Sequence, residues 1–589
     1  MLKRLLLNDR FYEVVVAVVS LVMGLTVLKS TPTMYYADSY AYTLKAYGLE
    51  ETEVYGIPFI GFPFILYLRI FIALLEPFCT DLLCPVRIAS LLAYVLSAYI
   101  FFKVLTSLYQ DISLIAYALS RILSVFLTLT IYASNPVRVL FSVVPYRDVF
   151  SNLLTLLSLY LSIKTLTSRK LRFLIAYLGS LGLLIITRPE LALLYSIPTI
   201  LLIFTISSYI CRFSLPTNHK EKVKVLIFSV LLSVIVFLGT LWLYEAAYYS
   251  YPRLGIFGRY TLFERIQYLA SHSIFDDVIS NLLEKLSILQ LPLVENSKPF
   301  VLGAIASLCI FSILKLFEKN NVKYMLFYLL CLSLPFMMLH FILIYYGSLY
   351  QTLTIPDRYF LHVQLFIELL LSYFIIEASI ITVKVLRTKN MLRKLLWLIV
   401  MFVIIFNTMY SGYNNYEDGL NRAICVSKWM GSYDRVSRYI TEIVLRNRGN
   451  IMVPLYDVFV LNVLNDLTKI YGKEGFYLYP LITMRLIPYR VVYDFTGVIN
   501  RVDVSREEYC LLTYSLFAEI AKAYNISYVV IDKMDRIATF LRKDLDYVKH
   551  CLYPVRLYGN VNLYKIKREC VEKPVVVLDG LIECFEKHP

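Results

Sequence analysis

Charge is scarce in this chain of 589 residues, where Asp, Glu, Lys and Arg make up 17% against 59% hydrophobic residues. A mean hydropathy of +0.64 is too apolar for a soluble protein. Histidine is rarer still: the six present are scattered, and the ten cysteines include no tight pair of CxxC motifs, so structural zinc is a poor fit. The first apolar segment is long and lacks a small-residue cleavage site, so it reads as a retained span. Internal repeats and low-complexity tracts are also missing. The net charge of +15 raises the thought of nucleic acid, but most of the excess sits in short loops beside apolar runs. Topology and anionic lipid account for it there, and no nucleic-acid partner is expected.

What is present is a series of apolar runs, among them Leu231–Tyr244, Tyr324–Tyr346 and Leu395–Phe406. About 20 apolar residues cross a bilayer as a helix, and backbone groups in lipid must be satisfied internally. The expected spans are 11–29, 86–106, 112–133, 148–163, 172–187, 190–210, 224–244, 299–317, 324–346, 359–383 and 395–411. The fold class expected is therefore a polytopic α-helical membrane protein of about 11 transmembrane helices. Lys3 and Arg4, the 164–172 loop, Lys220–Lys224, Lys315–Lys323 and Lys384–Lys394 all fall on one side. The positive-inside rule makes that side cytoplasmic, with the N-terminus inside and the region after the last span outside.

Phe64–Leu75 is apolar but only about a dozen residues long, where a span needs roughly 17 or more. It carries Arg69 at its centre and reads as an interfacial or re-entrant helix inside the first outer loop, 30–85. A second long outer loop is expected at 245–298, completing a membrane domain over 1–411.

Beyond Ser411 the apolar runs give way to shorter periods, and residues 412–589 read as an extracytoplasmic α/β domain. Helices are expected at Arg422–Arg446, Asp457–Tyr471 and Glu507–Tyr524, the last with Ser505 as its cap. Strands are expected at Asn450–Tyr456, Tyr489–Phe495, Ile526–Ile531, Val555–Tyr558 and Asn562–Ile566. Cys79 and Cys84 are close enough to bridge, and Cys570 with Cys584 is another pairing; free buried thiols are the alternative.

The residues that carry chemistry gather on the expected outer face. Asp38 lies in MYYADSYAY just past the first span, Arg147-Asp148 opens the fourth, Arg188-Pro189-Glu190 turns between the fifth and sixth, and Asp357-Arg358-Tyr359 precedes the tenth. Charges at membrane depth are costly to bury unpaired, so their repeated placement at one face suggests a shared polar cavity. A sugar transferred outside the cell must arrive on a lipid phosphate, because nucleotide sugars are not supplied there. Displacement at its anomeric carbon needs a carboxylate to take the acceptor's proton, which suits Asp38. The departing phosphate is best stabilised by guanidinium groups, for which Arg147, Arg188 and Arg358 are candidates.

With those motifs in view, the chain resembles the GT-C superfamily of polyprenyl-phosphate-sugar-dependent glycosyltransferases, particularly its protein O-mannosyltransferase and aminoarabinose-transferase-like branch. The matching elements are Ala37-Asp38-Ser39-Tyr40, the long first outer loop, Arg147-Asp148, Arg188-Pro189-Glu190 and Arg358-Tyr359, across residues 10–385. The resemblance implies a polyprenyl (dolichyl)-phosphate sugar donor and a protein, lipid or glycan acceptor, with an inverting displacement. Asp38 and Asp148 would be catalytic, and Arg147, Arg188, Glu190, Arg358, Tyr359 and Tyr40 would bind donor or lipid phosphate. Many relatives carry two adjacent acids where this chain has Asp38-Ser39. The second acid is then either Asp148 or absent, and a Mg or Mn requirement stays open. The WWDYG-type signature of oligosaccharyltransferases is missing, Lys428-Trp429-Met430 being a faint echo.

Each feature also has a plainer reading. Asp38 fits a helix cap or a solvated loop acid, and Arg147-Asp148 and Asp357-Arg358 fit boundary pairs that anchor spans. Pro189 suits the start of a new helix. The tyrosines at 35, 36, 40, 42 and 47 fit an aromatic belt as well as a sugar-stacking platform. Oligosaccharide transfer, a secondary transporter and a flippase of lipid-linked sugars are the alternatives. A transporter would show paired halves and polar groups at midplane, neither of which is evident.

Overall fold

The computed structural model describes residues 9–34, 37–49, 61–109, 113–168, 170–187, parts of 303–311, 357–386, 391–446, 448–488, 521–532, 551–558 and 561–569. Its helices are α1 (Asp9–Ser30), α2 (Ala37–Ala46), α3 (Phe62–Leu75), α4 (Leu83–Ser107), α5 (Leu114–Leu127), α6 (Pro136–Phe141), α7 (Arg147–Ser168) and α8 (Leu171–Thr187). They continue with α9 (Asp357–Leu386), α10 (Met391–Leu445), α11 (Tyr456–Tyr471) and α12 (Tyr479–Arg485). The strands are β1 (Asn450–Val453), β2 (Leu486–Pro488), β3 (Ile526–Asp532), β4 (Leu552–Tyr558) and β5 (Val561–Ile566). Two compact units result. One comprises Met1–Lys29, Thr52–Tyr67 and Ile88–Ala423; the other comprises Ser30–Glu51, Leu68–Arg87 and Ile424–Pro589.

In the first unit the helices are built for lipid. On α1, Tyr12, Val16, Ser20, Gly24 and Val27 are buried at helical spacing, while Val14, Val18, Val22 and Leu25 on other faces are exposed and equally apolar. A water-facing helix would be polar there. Among the described residues, five helices are long and apolar enough to cross a membrane: α1, α4, Leu114–Ala133, Gln364–Leu386 and α10. The expected fourth and fifth spans appear as α7 and α8, and the apolar stretch of α8, Leu171–Leu184, is shorter. The expected spans at 190–210, 224–244 and 324–346 lie outside the described residues, as does most of 299–317.

Ion pairs fix how the first helices run. Glu13 near the start of α1 receives Lys103 near the end of α4 at 2.6 Å. Asp9 receives Arg121 of α5 at 2.9 Å, and Arg121 also donates to the Thr106 carbonyl. The start of α1 thus meets the end of α4, so those two helices run antiparallel, as alternating spans must. α7 and α8 form a hairpin in which Ser158 and Ser180 are hydrogen-bonded at 3.0 Å.

Two expectations change in detail. α3 is a helix over the apolar segment at 64–75, and its 14 residues reach about 21 Å, short of a roughly 30 Å hydrocarbon core. Arg69 is not left bare, because its Nη2 donates to the Lys45 carbonyl at 3.1 Å. Near Ser411, where the sequence suggests the last span stops and a separate helix begins, α10 runs unbroken for 55 residues. Gly412 and Gly419, which look like helix breakers, serve close packing. A Cβ at either would lie 2.7 Å from a backbone oxygen, of Thr130 and of Pro136 respectively.

In the second unit the strand order is β2-β1-β3-β5-β4. β1 pairs parallel with β2 and β3, and β5 pairs antiparallel with β3 and β4. β3 is buried along nearly its whole length, as its run of Val and Ile requires. α11 buries Val458–Leu464 and Leu467 and packs on β2 and α2. Tyr433 of α10 donates to the buried Asp532 carboxylate at the end of β3. The strand β2 was not evident from sequence, being three residues long, and the expected strand at 489–495 lies outside the described residues. Cys79 and Cys84 are bridged, with Cα atoms 5.8 Å apart. Cys551 is also disulfide-bonded, and Cys425 is free and exposed.

Candidate functional site

Asp38 stands in the first turn of α2 and is exposed, while Ser39 and Tyr40 directly after it are buried. Earlier in the chain, Thr31, Thr33 and Met34 are held by hydrogen bonds, while 35 and 36 lie outside the described residues. Arg87 donates to the carbonyl and hydroxyl of Thr31 at 2.5 and 2.8 Å, Thr33 donates to the Ser427 carbonyl at 2.7 Å, and the Tyr40 hydroxyl donates to the Met34 carbonyl at 2.9 Å. Burial raises the Tyr40 pKa, with Asp434 adding to the effect, so the phenol stays a donor. Tyr40 is support beneath α2, and its ring does not face solvent. The helix N-terminus favours a negative side chain in the first turn. The result is a carboxylate on a rigid mount at the surface of the second unit, a few residues past the end of α1.

Arg147 and Asp148 open α7 in the first unit, and both are buried, Asp148 completely. His362 of α9 faces Asp148, with Nε2 3.9 Å from Oδ1. Ser151, one turn along α7, donates to the Asp148 carbonyl at 3.0 Å and sits 3.1 Å from the same His362 nitrogen. Which of the two donates between Ser151 Oγ and His362 Nε2 depends on the histidine tautomer.

A second buried cluster lies on the same helix. Arg138 Nη1 contacts both oxygens of Glu368, at 2.7 and 2.5 Å, and neither side chain is more than 1% exposed. Asn135 donates to Glu368 at 2.9 Å and to Gln364 at 3.2 Å. It also caps α6 by accepting from Val137 and Arg138. The Arg138 guanidinium lies over the Tyr132 ring at 4.0 Å, where a six-residue π-helix, Thr128–Ala133, ends α5. π-turns inside helices are frequent at functional sites. None of Arg138, Glu368 or His362 was singled out from sequence. The signal was there, because a Glu and a His inside an expected span are rare enough to mark it.

The other expected site residues divide as follows. Arg358 and Tyr359 lie in the first turn of α9, while Arg188 and Glu190 fall outside the described residues. Asp38 and Tyr40 belong to one unit, Arg147 and Asp148 to the other. Among the described residues no three His, Cys, Asp or Glu side chains gather as a metal site.

These features define a polytopic helical membrane protein with a small mixed sheet in its C-terminal region. No family profile matches the chain, and no curated protein matches it. Among solved structures it is similar to ArnT from Cupriavidus metallidurans in the apo state, at 10% identity and a TM-score of 0.45, over 95% of this chain and 98% of that one. It is similar also to the same protein bound to undecaprenyl phosphate, at 10% identity, a TM-score of 0.44 and the same coverage. The likeness runs the length of both chains but is loose, and no residue roles follow from it.

Proposed function

We propose that this chain is a membrane glycosyltransferase that moves a sugar from a polyprenyl-phosphate carrier to an acceptor hydroxyl on the extracytoplasmic face. The acceptor belongs to a protein, lipid or glycan. The observation that carries the reading is the rigid, exposed placement of Asp38 on α2 just after a candidate span. An acid that must take a proton from an incoming acceptor has to be reachable, and it has to be held still.

In the step envisaged, Asp38 accepts the acceptor's proton as the acceptor oxygen bonds to the anomeric carbon. The bond from that carbon to the phosphate oxygen breaks, its electron pair leaves with the phosphate, and the configuration inverts. Arg147, Arg188 and Arg358 are the proposed stabilisers of the leaving phosphate, and Glu190 and Tyr359 are proposed to help bind the donor. Asp148, being buried, is proposed to organise the opening of α7. Disulfide bonding at Cys79, Cys84 and Cys551 supports placing the second unit outside, since such bonds persist in oxidising compartments.

Reconstituted protein supplied with a polyprenyl-phosphate sugar carrying a radiolabel should transfer label to acceptor. Asp38→Asn should lower transfer by at least about 100-fold, the scale of a positioned general base, with unchanged membrane insertion. Retained transfer in that variant would remove Asp38 from the mechanism. A Tyr477→Cys at an exposed position of the second unit that is labelled only from the cytoplasmic side would remove the proposed topology.

A further inference from the structure

The two buried polar clusters of the first unit share one helix. On α9, His362 reaches Asp148 and Ser151 of α7, and Glu368 reaches Arg138 and Asn135 at the α5–α6 corner. The two anchors are six residues apart, about 9 Å along the axis at 1.5 Å per residue. They lie on different sides of α9, since six residues turn a helix through about 600°, or 240° net. One anchor alone would leave α9 free to pivot. Two anchors at different heights and azimuths fix both its rotation and its axial register. Around them Leu361, Leu365, Phe366, Leu369 and Tyr373 are buried, and Gln364, Ser372 and Glu377 are buried polar side chains on the same helix. Apolar packing tolerates a sliding shift better than a buried ion pair does, because a displaced charge inside the unit loses its compensating partners.

We propose that Glu368 and His362 are positioning residues that set the place of the Asp357–Tyr359 turn opening α9. This rests on the reading above only in the role given to that turn, as the phosphate-binding end of the helix. The Arg138–Glu368 pair sits about 15 Å from Arg358 along the helix axis, so it acts through α9 and touches no substrate. Its rigidity comes from shared partners. Asn135 holds Glu368 while capping α6, and Tyr132 stacks under the guanidinium, so a shift of α9 would disturb three elements together. Buried ion pairs are a poor source of stability but a known means of enforcing one register over its neighbours.

The test uses the full chain in nanodiscs, with Glu368→Gln, the swap Arg138→Glu/Glu368→Arg, and His362→Asn. KM for the polyprenyl-phosphate sugar and kcat are measured per folded molecule. Independently, Asp357→Cys reports the first turn of α9 by its rate of reaction with an aqueous maleimide, in a background where Cys425 and the other maleimide-reactive cysteines are replaced by Ser. The same chain lacking Asp357→Cys is the control. Glu368→Gln should raise donor KM about tenfold with kcat within twofold, and should change the labelling rate at 357 several-fold. The swap should restore both toward wild type. If Glu368→Gln lowers only the folded yield, with donor KM and labelling unchanged, the pair is structural and the inference fails. If wild type transfers no sugar and binds no polyprenyl phosphate, the functional reading fails. The labelling rates then decide the positioning role alone, an unchanged rate in Glu368→Gln overturning it and an altered rate restored by the swap upholding it.

Discussion

Replacing Gly412 and Gly431 by alanine should have opposite effects, although both lie in the same helix. In a helix interior alanine is favoured over glycine by about 1 kcal/mol, because glycine gives up more backbone freedom on ordering. At Gly431 nothing lies within 4 Å of the added Cβ, so that gain should appear nearly whole. At Gly412 the Cβ would meet the Thr130 carbonyl oxygen at 2.7 Å, its Cβ at 2.8 Å and its Cα at 2.9 Å. Two of those atoms are backbone, inside the π-helix that follows α5, and cannot swing aside. Overpacking of that kind costs about 1–3 kcal/mol. Set against the propensity gain, Gly412→Ala should be neutral to about 2 kcal/mol destabilising, and Gly431→Ala about 1 kcal/mol stabilising. Thermal unfolding in detergent, followed by fluorescence at one scan rate, reads both variants beside wild type. A higher midpoint for Gly412→Ala than for Gly431→Ala would refute the claim that α10 packs on the π-turn through its glycines.

Three further outcomes follow from the second unit. Burial, reinforced by Asp434, raises Asp466 from the ordinary Asp value to about 6, outweighing Lys469 and Arg438; its stabilising proton is present below the unfolded pKa and lost as pH rises through 6. Asp466→Asn should therefore be more stable than wild type at pH 7.5 by about 1 kcal/mol after allowance for solvent screening, with no gain at pH 3.5; a gain that persists unchanged at pH 3.5 would count against burial as its origin. Asp81 accepts from the backbone of Leu83 and Cys84 at 2.9 and 2.7 Å at the start of α4, so Asp81→Ala should cost about 1 kcal/mol in a denaturant titration, and no loss would show the cap to be idle. Removing the short Cys79–Cys84 loop closure by Cys84→Ser should cost about 2 kcal/mol, read as a lower midpoint without reductant and none with it; equal midpoints in both would refute it.

Much of the frame was legible because it depends on composition and period. The alternation of buried and lipid-facing residues on α1, the helix at 456–471 and the strands at 526–532 and 561–566 follow from local pattern. What escaped depends on partners far away in the chain. Gly412 and Gly419 look like breaks until Thr130 and Pro136 are placed beside them. Glu368 looks like an intrusion in an apolar run until Arg138, 230 residues earlier, is set against it. β2 is too short to show a period at all. Sequence reasoning found the residues that announce themselves at span boundaries and missed those that matter by being buried within one.

Asp38, the base expected from the sequence, and Asp148, the candidate second acid, are physically unlike. Asp38 is exposed on a helix whose support is spent on fixing its backbone, through Arg87, Tyr40 and Thr33. It can meet an acceptor and release the proton it takes. Asp148 is fully buried, and its side chain faces His362, which also contacts Ser151. A proton moved there has no described route to solvent, and an acceptor hydroxyl would have to displace packed side chains to reach it. A general base that turns over must exchange protons in every cycle, which is why Asp38, and not Asp148, is the proposed base. Asp148 instead holds the start of α7 against α9, and replacing it should disturb the place of α9 before it disturbs proton transfer.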